Sequence, residues 1–242
     1  VDGGLADVAY GPSRDQVRIG NATVTTELWT EYPFRDSLRF AVSVDQPEIF
    51  PLYLRIPAWA NGAQVRVADG ETVPAAAGTF FRLHREWRGA TEVTLMLPMS
   101  PTLSRRFHGA AAIERGPLVY ALKIGEEWRR VHENEPYREL PHADWEVYPT
   151  TPWNYALQVS EATLMKDVVF TEHPIGSCPF SPEGAPVSAT VRGRKLSQWG
   201  MENGSAADTP SSPVYSAEPL EELTLIPYGC TNLRITEFPV LG

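Results

Sequence analysis

The chain has 242 residues, 43% of them hydrophobic and 21% charged, a mixture that can bury a core and argues against general disorder. Its 22 prolines disfavour long helical bundles, because proline breaks helix interiors and removes a sheet donor. The net charge of −9 argues against a nucleic-acid partner, which needs a basic footprint, and no run approaches the roughly 18 apolar residues that cross a bilayer, so no membrane partner is expected.

From the N-terminus, Val1-Asp2-Gly3-Gly4-Leu5 has neither a basic n-region nor an apolar h-region, so it is not a signal peptide, and it lacks an initiator Met, as in a fragment or a processed chain. The compartment is left open. Strands are then expected at regular spacing. Gln16 to Ile19 and Thr23 to Trp29 flank a Gly20-Asn21 turn, a hairpin signal. Ser37 to Val44 alternates polar and apolar residues, the period of a strand with one wet face. Leu52 to Ile56 repeats the pattern and stops at Pro57. Gln64 to Val67 lies between Asn61-Gly62 and Asp69-Gly70 turns, and Thr79 to Leu83, Glu92 to Leu97 and Leu118 to Ile124 complete the set. Short strands with turn signals every 8–12 residues predict a β-sandwich.

The second half reads more loosely. Residues 125–153, rich in Pro, Trp, Tyr and Glu, read mostly as ordered loop. Strands are expected over Tyr155 to Val159, Leu164 to Phe170 and Val187 to Val191. Pro174 to Pro186 is a connector, and Glu202 to Pro213 is a candidate mobile loop. Leu223 to Ile226 and Asn232 to Phe238 read as a closing hairpin around Pro227-Tyr228-Gly229. Residues 1–123 carry 13 basic and 13 acidic side chains, whereas 124–242 carry 8 and 17. That step predicts an all-β chain of two sandwich-like modules of short antiparallel strands: 1–123, and an acidic 124–242 with long loops.

Chemistry-bearing motifs are sparse. No nucleophile elbow, phosphate loop or dinucleotide fingerprint is present, so no cofactor is implied. His84, His108, His132, His142 and His173 lack metal-ligand spacing. His132 and His142 bracket Glu133, Glu135 and Glu139, but a solvated acidic loop is the better reading than a metal site. Asp144 and Glu146, two apart on a strand, would share a face, as a paired-carboxylate glycosidase requires; exposed acids at that spacing are common, and a surface role is preferred. Trp29, Trp59 and Trp87 sit beside strand ends and are assigned to core or corner packing. The segment around Trp145, Tyr148, Trp153 and Tyr155 either buries its rings against a partner or presents them to a ligand. No catalytic residue and no metal ligand is assigned. Cys178 and Cys230 are too few for a disulfide scaffold and read as free thiols.

Several segments in order resemble a known family. Ala9-Tyr10-Gly11-Pro12-Ser13 precedes Leu54-Arg55-Ile56-Pro57-Ala58-Trp59-Ala60, then Gly78-Thr79-Phe80-Phe81 and Arg85-Glu86-Trp87. Leu95-Met96-Leu97-Pro98-Met99 and Glu114-Arg115-Gly116-Pro117-Leu118-Val119-Tyr120 follow. Pro152-Trp153-Asn154-Tyr155 and the run Leu225-Ile226-Pro227-Tyr228-Gly229-Cys230-Thr231-Asn232 close the series. The set resembles the C-terminal portion of glycoside hydrolase family 127, the β-L-arabinofuranosidase-like proteins. The resemblance implies an (α/α)₆ catalytic barrel N-terminal to these segments, with a zinc ion held by cysteines and a glutamate and a cysteine nucleophile. None of those motifs occurs in this sequence. The chain therefore resembles the β-rich region without the barrel, a non-catalytic region inactive alone, and the implied partner is the barrel of the same parent polypeptide. A carbohydrate is the other candidate partner, through a stand-alone carbohydrate-binding module using Trp145, Tyr148, Trp153 and Tyr155. A self-contained glycosidase using Asp144 and Glu146 is a third reading.

Overall fold

Alternation of apolar and polar residues sets the first half of the molecule. In the computed structural model, which describes residues 3–68 and 70–242, Ser37–Val44 forms a strand whose even positions, Leu38, Phe40, Val42 and Val44, are all buried. Val1 and Asp2 at the chain start, and Asp69 of the expected Asp69-Gly70 turn, lie outside the described residues. Among the described residues about half are in strands and 4% are helical. Among the described residues no helix is long and apolar enough to cross a membrane.

The first compact unit is Val1–Ser100. Its strands are β1 (Leu5–Asp7), β2 (Ser13–Ile19), β3 (Ala22–Thr30), β4 (Ser37–Val44), β5 (Glu48–Ile56), β6 (Gln64–Val67), β7 (Thr72–Pro74), β8 (Thr79–Trp87) and β9 (Ala90–Met96). The turn between β2 and β3 has Gly20 at φ +56°, which glycine adopts without steric cost. A six-stranded sheet runs β2-β3-β4-β9-β6-β7 and a three-stranded one β1-β5-β8. All pairs are antiparallel except β1 with β5. One hydrophobic cluster joins them: Leu28, Phe40 and Leu95 from the larger sheet pack with Phe50, Leu54 and Trp87 from the smaller. That is a β-sandwich, as the strand spacing predicts. β5 extends back through Pro51, which precedes the Leu52–Leu54 stretch paired with β1; there the strand has one neighbour, and a missing N–H is tolerated as at an edge.

The second unit is Pro101–Gly242, with β10 (Pro101–Arg105), β11 (Ala111–Arg115), β12 (Leu118–Leu122), β13 (Glu126–Val131), β14 (Asp144–Pro149), β15 (Tyr155–Leu157), α1 (Leu164–Asp167), β16 (Val168–Glu172), β17 (Val187–Lys195), β18 (Met201–Glu202), β19 (Ser205–Ala206) and β20 (Leu220–Pro227). Seven strands make one sheet in the order β10-β11-β12-β20-β17-β15, with β16 also on β17. β13 with β14, and β18 with β19, form separate hairpins.

Four sequence expectations are corrected. The units divide after Ser100 rather than near Lys123, because β12 pairs with β20 within the second unit; the charge step reflects surface side chains, not chain topology. Residues 126–131 and 144–149 form a full antiparallel ladder instead of loop. Leu164–Asp167 is a helical turn before β16. Residues 232–238 do not return along β20, whose neighbours are β12 and β17; the chain makes a 3₁₀ turn at Tyr228–Cys230 and Phe238 pairs instead with Ala111.

Candidate functional site

The β13–β14 hairpin carries most of the exposed aromatic surface that the sequence singles out. Its ladder runs from Glu126 opposite Pro149 to Val131 opposite Asp144. Because side chains alternate across a strand, Trp128 and Trp145 fall on one face, with ring centroids 6.2 Å apart in an edge-to-face pair; both rings are about half exposed. The other face holds the Arg129 guanidinium 4.4 Å from the Tyr148 ring centre and ion-paired to Glu127 at 2.8 Å. The Tyr148 hydroxyl donates to Glu146 at 2.5 Å. That bond to a carboxylate raises the Tyr148 pKa.

At the base of the hairpin, Glu126 is a fixed anchor. One carboxylate oxygen takes the Trp128 indole N–H at 3.0 Å and the Asn232 amide at 2.9 Å. The other takes the backbone N–H groups of Asn232 and Leu233, each at 3.3 Å. Burial opposes ionisation, but the hydrogen bonds from Asn232 and Trp128 outweigh it and hold Glu126 below its ordinary pKa. Beside this anchor lies a cavity of about 770 Å³ lined by Trp128, Lys123, Glu183, Glu222 and the Tyr155–Glu221 pair. A second cavity, about 460 Å³, is lined by Glu146, Tyr148, Trp153, Met201 and Arg234.

The four sequence-predicted site residues are therefore not brought together as one surface. Trp145 is exposed on the hairpin, and Tyr148 is at the rim of the smaller cavity. Trp153 packs edge-to-face on Trp199 at 5.2 Å, within a cluster built on Ala156, Leu196 and Trp199. Tyr155 is buried, its hydroxyl donating to Glu221 at 3.2 Å. The missed residues are Trp128, Glu126 and Asn232; an indole two residues after a glutamate was the available signal.

The paired-carboxylate reading meets a different environment. Asp144 is engaged by His132 at 3.0 Å and by Arg138 at 3.1 Å, Glu146 by Tyr148, and neither cavity is lined by both. Nor do the cysteines supply the zinc and nucleophile constellation that the family resemblance implies. Both are free; Cys178 is exposed and Cys230 buried, with its thiol donating to the Pro179 carbonyl at 3.3 Å. Burial pushes the Cys230 pKa up to about 11, the opposite of an activated thiolate. Among the described residues no group of three or more His, Cys, Asp or Glu could hold a metal ion. The residues present do not fit that metal site.

The division after Ser100 has an independent counterpart in comparisons with known proteins. Residues 6–99 match the family model of the GH127 middle domain of β-L-arabinofuranosidases. The match ends one residue short of the boundary between the two units. The fold is similar to that of a GH127 β-L-arabinofuranosidase from Geobacillus stearothermophilus T6, with a TM-score of 0.62 and 24% identity over 98% of this chain and 33% of that one. A solved glycoside hydrolase matches at TM-score 0.64 and 20% identity, over 98% of this chain and 36% of that one. A GH127 β-arabinofuranosidase matches at 0.56 and 17%, over 99% and 35%. The chain thus spans about a third of the length of the solved structures it matches. No curated protein is matched.

Proposed function

We propose that this chain is a non-catalytic β-rich region of a GH127-type glycoside hydrolase, supporting the (α/α)₆ barrel in which a β-L-arabinofuranosidase-type hydrolysis takes place. The observation that carries the reading is the match of residues 6–99 to the GH127 middle domain. The ion-paired Asp144, the buried Cys230 and the misfit of a zinc site support a region without a reaction centre of its own. The chain alone should hydrolyse aryl β-L-arabinofuranosides no faster than buffer. Mixed with a separately produced catalytic barrel of the same parent polypeptide, it should bind it and raise its melting temperature, as any partner that binds only the folded state does. Turnover by the isolated chain that disappears in Asp144→Asn or Glu146→Gln, or a barrel indifferent to the chain in both binding and melting, overturns the proposal.

A further inference from the structure

We infer that the 770 Å³ cavity beside β13 binds a saccharide, with the Trp128 indole carrying a sugar ring and the surrounding side chains taking its hydroxyls, the choice of sugar resting on the glycoside-hydrolase reading above. The volume is within the ~300–1,000 Å³ usual for small-molecule sites. The indole is held before any ligand arrives: its N–H is spent on Glu126, which Asn232 and the Leu233 amide lock in turn. Trp128 is 48% exposed and lines the cavity, an apolar ring surface of the kind that takes the C–H face of a sugar.

Four glutamates line the cavity, but two of them already serve neighbours. Glu126 accepts four hydrogen bonds and Glu221 accepts the Tyr155 hydroxyl. Glu183 and Glu222 stand with Lys123 as the charged remainder of the wall. A wall of both acceptors and a donor matches a polyol, whose every hydroxyl is both; a polyamine, though drawn by the four carboxylates, leaves the Lys123 donor without an acceptor. The site shares only Tyr155 with the aromatic set predicted from sequence, since Trp145, Tyr148 and Trp153 do not line it.

Isothermal titration of the whole chain with arabinofuranose, xylose and glucose oligosaccharides of one to three units, and with spermidine, tests this. At least one saccharide should bind saturably, and Trp128→Ala should weaken it ~10-fold, the scale of one lost ring contact. Trp29→Ala, which removes an exposed ring that is absent from the cavity wall, should leave the affinity within about twofold. Glu183→Gln, a substitution in an exposed loop, should weaken binding about threefold or more by removing a charged acceptor, which keeps the proposal testable if Trp128→Ala fails to fold. Binding of no saccharide, saccharide binding insensitive to both Trp128→Ala and Glu183→Gln, or Trp128-dependent binding of spermidine alone overturns it. The hydrolysis and barrel-association assays read the scaffold proposal separately, so each can fail without the other.

Discussion

Asp7, at the end of β1, is half-buried, and that burial, with Asp15 adding a like charge, raises its pKa to about 6. A carboxyl whose folded pKa is above its unfolded value stabilises the fold fully below the unfolded pKa, and the contribution is lost as pH rises through the folded one. At pH 8 the ionised Asp7 therefore costs stability. Asp7→Asn should raise the denaturant midpoint at pH 8 by the equivalent of about 1–2 kcal/mol, discounted from the full shift because the group is partly exposed. The gain should shrink toward zero at pH 4. An equal gain at both pH values would assign the effect to packing. Tyr10 and Tyr32 share this corner at 5.9 Å, edge to face, and burial raises both of their pKa values. Of the three tryptophans assigned to core or corner packing, Trp87 is fully buried, donating to the Phe50 carbonyl at 3.0 Å and stacked on its ring at 5.3 Å. Trp59 packs partly buried at the core edge. Trp29 is 45% exposed with the Arg39 guanidinium 5.3 Å from its ring centre: it follows Leu28, which takes the inward position, so alternation turns the indole outward.

At the scale of elements, strands with one buried face were legible from alternation, and strands without one only where a turn signal marked them, as Gly20-Asn21 marks β2. β4 announces itself by alternation. β13, Glu-Glu-Trp-Arg-Arg-Val, and β14, Asp-Trp-Glu-Val-Tyr-Pro, have no fully buried residue, so no apolar period exists to read, and their ladder is visible only in the pairing. The same absence hid the anchor of the larger cavity, because Asn232 is 106 positions from Glu126. Trp153 was legible as an aromatic but not as core, since its partners Leu196 and Trp199 come from beyond β17. Asn154 ties the two segments together, its amide donating to the Leu196 and Trp199 carbonyls at 2.8 and 2.9 Å. Thermal and urea unfolding should separate the two indoles. Trp153→Ala should cost about 2–3 kcal/mol through the cavity it leaves against Trp199, whereas Trp145→Ala, on the exposed face of the hairpin, should cost less than about 1 kcal/mol. Equal losses would mean that the hairpin face is part of the core.

For the whole molecule, the sequence made the all-β class legible through turn spacing and proline content, while the boundary depended on which strands pair across long separations. The charge step at Lys123 is real in the sequence, yet counted by the observed units the charge is −3 for residues 1–100 and −6 for 101–242, so both units are acidic. What decides the boundary is the partner of β12: Tyr120, Ala121 and Leu122 are opposite Pro227, Ile226 and Leu225 of β20, and all six are buried. A fragment of residues 1–100 keeps every strand of its sandwich with its partners and should unfold in one cooperative transition, as a self-contained domain does. A fragment of residues 1–123 adds β10, β11 and β12 without β20, leaving an apolar strand edge with unpaired backbone groups, which templates association. Size-exclusion chromatography should show the shorter fragment monomeric and the longer one aggregated. A monomeric 1–123 with a higher melting temperature than 1–100 would instead place the boundary at the charge step.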